Sequence, residues 1–292
     1  MQIKKASVVA VVLAAGLAAA AAPASAATPH HGVKHGMGLN LAGLREAKAA
    51  HSATAHSAAL PVRNRAGAAP TSYDLTKYAL SPGDQGQVGS CVTWATGYTG
   101  YGVLMNEQKI SGKPMAPMFI YSQIAKGQDE GTNASVALPM EQKQGIDTKS
   151  DYWQGDFDYT TQPDRNERTN AAHYRISGFT ELPTSGSSAK KAIENAISQG
   201  QPVAIGFNVH QSFMDLDSSS ASDYSYLPGD SSSDPVVGGH EVTIVAYNSQ
   251  GVKIENSWGN SWGDGGFVTV PWDFFSTGDV DEINAMGALS QS

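Results

Sequence analysis

"DQGQVGSCVTW", residues 84–94, carries the chain's single cysteine, Cys91, where a glycine- and amide-rich loop gives way to a run that can open a helix. A thiol attacks as the thiolate, so a working cysteine needs a neighbour that lowers its pKa: a helix N-terminus, an imidazolium, or both. A helix starting at Cys91 would aim its positive end at sulfur. Gln85 can fold back across the loop and set its side-chain amide beside the Cys91 N–H, two donors for the oxygen of a tetrahedral intermediate. The plain alternative is a buried, inert thiol, since free cysteine is among the most buried residue types.

The base must come from elsewhere. Residues 71–292 hold three histidines, His173, His210 and His240. His240, in "VVGGHEVTIVAYN", follows two glycines and opens a β-type run, so its ring can stand where backbone lets another segment approach closely. His210, beside a polar insertion, reads as a loop residue, and His173 has no comparable setting. Sixteen residues after His240, "ENSWGNSWGDGGF" supplies Asn256, whose side-chain carbonyl can accept the imidazole N–H and fix the tautomer that serves sulfur. Trp258 can cover that hydrogen bond and exclude water, which strengthens it.

Residues 1–26 combine Lys4 and Lys5, an uncharged alanine-rich run and the small-x-small site Ala24-Ser25-Ala26, the pattern of a secretory signal. Export to an extracellular or periplasmic setting is therefore expected, where thiols ordinarily pair and one cysteine has no partner within the chain. Residues 27–70 form a basic, His-rich leader, five Lys/Arg against one acid, with His30, His31, His35, His51 and His56. Its composition suits a flexible or partly helical pro-segment, with one short helix in "LNLAGLREAKAAH". The domain from 71 to 292 is acidic, with 26 Asp/Glu against 12 Lys/Arg. That balance disfavours nucleic acid and anionic membranes as partners and favours the basic leader. It also suggests a taste for basic residues near a scissile bond.

Along the domain, "CVTWATGYTGYGVLMNEQK" puts Val92, Ala95, Tyr98, Val103 and Leu104 on a helix face, weakened by three glycines. "MAPMFIYSQIAKGQ" and "SVALPMEQKQG" read as short helices, and "SSAKKAIENAISQGQ" as a clearer one, capped by Ser188 and stopped at Gly200. "PVAIGFNV", "HEVTIVAYN", "GVKIENSWG" and "GGFVTVPW" read as strands. Helices early and strands late argue for an α+β fold with a helical half facing a β-rich half. Residues 215–235, with five aspartates, read as a solvated loop rather than a calcium frame.

Taken together these segments resemble the papain-like cysteine peptidases, in particular their short bacterial secreted members. "DQGQVGSC" is similar to that family's Gln-Gly-x-x-Gly-Ser-Cys loop, "GGHEVTIVAY" to its histidine strand and "KIENSWGNSWGDGGFVTVP" to its Asn-Ser-Trp-Gly segment. The resemblance implies a two-lobed fold with the site in the cleft between the lobes. It implies Cys91 as nucleophile, His240 as general base and acid, Asn256 as orienter, Gln85 as oxyanion donor and Trp258 as shield, with a depressed thiol pKa. Gly131 and Thr132, in "DEGTNASVAL", are the nearest match to the family's substrate-backbone loop.

The implied activity is endopeptidase hydrolysis of a peptide or protein substrate by thiol attack and resolution of the thioester by water, with no cofactor or metal and a monomeric enzyme. An acyltransferase or ligase of the same fold, or a non-catalytic peptide-binding module, would share the features. The chain departs from many relatives at Val88, where they carry a cysteine, and at Val92, where they carry tryptophan; Trp94 is the nearest substitute.

Overall fold

A computed structural model describes residues 35–50 and 59–290. The signal-like segment 1–26 and His30, His31, His51 and His56 lie outside the described residues. Among the described residues no helix is long and apolar enough to cross a membrane.

The segment around Cys91 is helical, as its apolar spacing requires, but not uniformly so. Helix α2, residues 91–108, follows helix α1 (Leu41–Ala50) and the two-residue strand β1 (Tyr73–Asp74). It runs as an α-turn Cys91–Thr93, a π-helical stretch Trp94–Gly100 and an α-helix Tyr101–Gln108. Wide π-turns of this kind often occur at functional sites. The glycines that weaken its propensity serve packing: a Cβ on Gly100 would stand 2.3 Å from the Met286 sulfur, and one on Gly102 2.7 Å from Leu80. Helices α3 (Pro117–Ala125), α4 (Ala134–Gln144) and α5 (Arg165–Ala171) complete the helical half. Val92, Leu104, Met118, Phe119, Ile120 and Leu138 make its core.

The other half is a sheet. Strands β2 (Phe179–Glu181), β3 (Val203–His210), β4 (Val236–Tyr247), β5 (Gly251–Glu255), β6 (Phe267–Pro271) and β7 (Val280–Met286) lie in the order β2-β7-β3-β4-β5-β6, with β1 paired to β4. All pairings are antiparallel. Helix α6 (Gly186–Ser198) lays Ile193 and Ile197 on the apolar face made by Val203, Ile205, Val242, Ile244, Val252 and Ile254. Ser188 does not cap α6: the helix starts at Gly186, and the Ser188 hydroxyl donates to the Ser185 carbonyl from inside the first turn. The stop at Gly200 is as read, with φ +81°.

A polar seam joins the halves and fixes the site. Thr243 Oγ1 on β4 donates to the Ala95 carbonyl of α2 at 2.8 Å, and Thr99 Oγ1 donates to Glu255 on β5 at 3.2 Å. The nucleophile loop crosses to the β half through Gln85 N–H to Ser257 O at 2.9 Å and Gly259 N–H to Gly83 O at 2.9 Å. Buried polar atoms joined this way specify one relative placement of the two halves, because each left unpaired would cost its desolvation.

Residues 59–70, within the stretch expected as leader, lie along the domain. Ala288 N–H donates to Leu60 O and Arg63 N–H to Gln199 O. The Arg63 side chain bonds the buried carboxyl of Glu107 and, at 2.7 Å, the Tyr78 hydroxyl. His210 is no loop residue: it ends β3, is buried, and meets the Asp234 carbonyl at 2.6 Å and Asp279 at 3.3 Å.

Candidate active site

The structure brings the residues read from three separate segments together. Cys91 is the first residue of α2 and fully buried. His240 lies on β4, opposite Phe207 of β3, so its position is set by strand register. Its Nε2 meets Asn256 Oδ1 at 2.7 Å, while Nδ1 carries no hydrogen bond. Asn256 Oδ1 also accepts the Ser257 N–H at 2.7 Å, which fixes the amide with its oxygen toward the ring. Trp258 stacks on His240 with ring centroids 4.4 Å apart and covers this hydrogen bond. Gln85 is buried: its Oε1 accepts the Ser257 hydroxyl at 2.6 Å and its Nε2 donates to Val88 O at 2.9 Å.

Val88 is partly buried against the helical core, and the loop is held without a disulfide. Gly89 N–H donates to the Asp129 carboxylate at 2.9 Å, and the Tyr121 hydroxyl donates to the same group at 2.5 Å. Trp94 packs against Gly83, where a Cβ would stand 2.2 Å from its ring, so it supports the upstream end of the loop.

Residues 35–40 run across this constellation as an extended segment. Trp258 Nε1 donates to Gly36 O at 2.9 Å, and His35 stacks on the Trp258 ring at 4.8 Å. Gly36 N–H donates to Gly86 O at 2.7 Å, and the Gln85 amide reaches Met37 O at 3.4 Å. Gly38 and Leu39 N–H groups both donate to Gly239 O. Thr132 then pairs as in a strand: its N–H donates to Gly38 O at 2.8 Å and its carbonyl accepts the Asn40 N–H at 2.7 Å. Gly131, with φ +74°, lies so close that a Cβ there would stand 2.1 Å from Gly38 O. Glycine is required at that position on both counts. The glycines before His240 act as the sequence suggested, for a Cβ on Gly239 would meet Leu39 O at 2.8 Å.

Among the described residues, no ion pair ties this segment to the domain. Arg45 is exposed, and among the described residues of 35–70 the ion pair is that of Arg63, remote from the cleft segment. Backbone pairing, the Leu39 side chain and the stacking on Trp258 hold it instead, and none of these shows in a charge count.

Coverage sets the electrostatics. Burial pushes the Cys91 thiol up; the carboxyls of Glu241 and Glu282 add to the rise, and the Glu241 and Val92 backbone N–H groups offset part of it. Burial holds His240 down to about 4, against the hydrogen bond it donates to Asn256. A depressed thiol pKa is therefore not found in this covered state: thiol and imidazole both rest neutral, because water that would solvate an ion pair is displaced.

Comparison with known proteins agrees with this geometry. The sequence profile described as papain family cysteine protease matches residues 69–274. The chain belongs to the papain family of cysteine proteases. It is accordingly a cysteine-type peptidase, with the papain-like α+β fold. Mouse (Mus musculus) cathepsin K is 30% identical over 221 residues, 70% of this chain and 60% of cathepsin K. An uncharacterized peptidase C1-like protein of Acanthamoeba polyphaga mimivirus is 24% identical over 220 residues, 69% of each chain. Among solved structures, xylellain, a cysteine protease from Xylella fastidiosa, superposes with a TM-score of 0.65 at 21% identity, covering 80% of this chain and 97% of xylellain. Digestive procathepsin L 3 of Tenebrio molitor gives 0.59 at 19% identity, covering 79% of this chain and 75% of that one.

Sequence reasoning missed the path of residues 35–40 and the two carboxyls beneath it, Glu241 and Glu282. The glycine pair before His240 was the available signal for the first.

Proposed function

We propose that the chain is an exported endopeptidase made as a latent precursor, in which Cys91, His240 and Asn256 cleave peptide bonds and residues 35–41 block the cleft until removed. The observation that carries this reading is the peptide segment drawn past Cys91 by Gly86, Thr132, Gly239 and Trp258. A site that pairs with one extended backbone on both sides is built to receive another.

In the uncovered site His240 Nδ1, the nitrogen left without a hydrogen bond, takes the thiol proton, while Asn256 keeps Nε2 as the donor. Sulfur attacks the peptide carbonyl. Gln85 Nε2, which here reaches a carbonyl at 3.4 Å, and the Cys91 N–H hold the oxyanion. His240 then protonates the leaving amine, and water releases the acyl group from the thioester. The signal-like residues 1–26 support export, and the shortage of basic surface supports a protein or peptide substrate over nucleic acid or membrane.

Incubation with a thiol-directed epoxide followed by intact mass tests the assignment. The expected result is a single adduct on Cys91, slowed by at least about a hundredfold in His240→Ala, the lower end of what general-base assistance contributes. Equal labelling of the two proteins refutes it.

A further inference from the structure

The extended segment 35–40 meets the helical half at two loops that come from different places in the chain, and one carboxylate joins them. Gly89, just upstream of Cys91, donates its N–H to Asp129 Oδ1 at 2.9 Å and to Oδ2 at 3.2 Å. The Tyr121 hydroxyl donates to Asp129 Oδ1 at 2.5 Å and accepts the Gly131 N–H at 3.1 Å. These bonds form one chain: Gly131 N–H to the Tyr121 hydroxyl, the Tyr121 hydroxyl to Asp129, and Gly89 N–H to Asp129 from the other side. Gly131 leads directly into Thr132, whose N–H and carbonyl pair with Gly38 and Asn40 of the extended segment. One end of the chain fixes the loop that carries the thiol, and the other fixes the loop that pairs with a peptide backbone.

Tyr121 is held from below, because it lies on α3 and is fully buried in the same core as Cys91. Burial first, and then the bond to Asp129, push its hydroxyl up, so it keeps a proton to donate. Asp129 stands at the surface, where water solvates it, and a carboxylate has lone pairs for several donors at once. Hydrogen bonds to a carboxylate are stronger than those between neutral groups, and linked bonds polarise one another. The fit at Gly89 leaves no slack. A Cβ there would stand 2.9 Å from Asp129 Oδ1, 3.2 Å from the Tyr121 hydroxyl oxygen and 3.4 Å from Met37 O. Met37 belongs to the extended segment, so thiol loop, carboxylate, hydroxyl and covering peptide converge on one glycine. With a single cysteine in the chain, no disulfide shares this task.

We infer that Asp129 and Tyr121 are positioning residues for the reaction: through one hydrogen-bonded chain they hold the Cys91 end of α2 at a set distance from Thr132, so that a peptide paired at Thr132 presents its carbonyl to sulfur and to the Cys91 N–H. The inference rests on the peptidase reading above and adds residues that act through Gly89 and Gly131 rather than on the substrate itself. A displacement of about 1 Å at the reacting atoms can cost about a hundredfold in rate, so a small slip between the two loops is enough to matter. Asp129 touches both arms of the chain, and its loss should appear in kcat as well as in KM. The Tyr121 hydroxyl reaches the peptide-pairing loop, and its loss should appear mainly in KM.

The test compares Asp129→Ala, Asp129→Asn, Tyr121→Phe and the double variant Asp129→Ala with Tyr121→Phe. Each is the full chain, activated by a trace of tagged wild-type enzyme that is then removed, with peptide cleavage rates normalised to active sites titrated by the epoxide. Iodoacetamide labelling of Cys91 is the reference, since a small reagent needs neither the Thr132 pairing nor an oxyanion site. Asp129→Ala should lower kcat/KM at least about tenfold, the range of a charge-assisted hydrogen bond, while labelling stays within about twofold of wild type. Asp129→Asn keeps an acceptor oxygen in place and should recover most of that loss. Tyr121→Phe should raise KM about fivefold with a smaller change in kcat, the range of a single hydrogen bond. The double variant should be little worse than Asp129→Ala, because the tyrosine acts through the carboxylate. Labelling that falls with turnover in Asp129→Ala marks a merely structural role and overturns the inference. An Asn variant as poor as Ala, or additive losses in the double variant, overturns it too. Should Asp129→Ala fail to fold, Tyr121→Phe decides alone, and a wild-type KM there overturns the inference. Failure of the epoxide to label Cys91 in the wild type would instead strike the underlying peptidase reading, so the two failures are distinguishable.

Discussion

Helix α2 is gripped at its π-helical stretch by two buried acids, and their protonation makes the protein's stability depend on pH. Thr96 Oγ1 lies 2.5 Å from Glu141 Oε1 and 2.9 Å from Val92 O. The Thr96 hydroxyl is the donor in both contacts and shares its one proton between the Glu141 carboxyl and the Val92 carbonyl. Thr99 meets Glu255 in the same stretch from the β half. Burial pushes both carboxyls from 4.5 to about 8, against the hydrogen bond from each threonine. The folded protein keeps both protons while the unfolded chain sheds them above pH 4.5. Stability is therefore complete below that pH, falls as pH rises, and loses this contribution past about 8. At about 1.4 kcal/mol per pH unit per group, the loss at pH 7 is roughly 3 kcal/mol for each carboxyl. Even half of that is a large share of the 5–15 kcal/mol, roughly, that holds an ordinary domain folded.

The assay is urea unfolding of the full chain carrying Cys91→Ala, which removes the proposed nucleophile, at intervals from pH 4.5 to 8. The midpoint should fall steadily with pH. Glu141→Gln with Glu255→Gln, which supplies permanently neutral groups of the same shape, should remove about two protons' worth of that slope. Glu241, raised by burial as well, leaves a residual slope. A midpoint that is flat from pH 5 to 8, or a double variant with the wild-type slope, would refute the reasoning.

Other perturbations act on the cleft and its supports. Gly131→Ala places a methyl 2.1 Å from Gly38 O at a φ of +74°, so peptide pairing at Thr132 should fail, with KM for substrates raised at least about tenfold in steady-state kinetics and stability lowered by about 1–2 kcal/mol. Leu39→Ala in the precursor withdraws about 2 kcal/mol of apolar burial and should weaken latency by about thirtyfold, read as the rate of epoxide labelling of Cys91 before processing; unchanged labelling contradicts the blocking role. Arg63→Ala takes from the buried Glu107 carboxyl its ion-pair partner and leaves Lys77 as the cation still acting on it. Because the arginine is 43% exposed, the expected cost is a screened value of about 1–2 kcal/mol by urea unfolding, and no measurable change would show that residues 59–70 add nothing to the domain.

The candidate constellation was legible because each proposed role demands a particular residue type in a short local context. A cysteine after a glycine loop, a histidine after two glycines and an asparagine beside a tryptophan each stand in one segment, and only their meeting required the fold. The buried acids of β4 and β7 were illegible for the opposite reason. Glu241 and Glu282 are ordinary acids in the sequence, and β7, "VDEINAM", looks too polar for a buried strand until its neighbours are known. Register opposite Gly206 sets those acids side by side, and register is long-range. Opposite charges suggest that the leader docks; at residues 36–40 the described contacts include backbone hydrogen bonds, which are open to any sequence and so leave no mark in it. Residues 59–70 read as leader by composition, yet Arg63 alone finds a buried acid that composition cannot pair it with.

The lone sulfur under residues 36–39 also has a chemical clock. A thiol with no second cysteine in its chain has no resolving partner, so once oxidised past the sulfenic state it is lost for good. While covered, it is neutral, dry and out of reach of peroxide. On the latent-precursor reading proposed above, departure of the cover would make the same atom both a nucleophile and a target, so the active lifetime would begin at that moment and its length would be set by the oxidants around it.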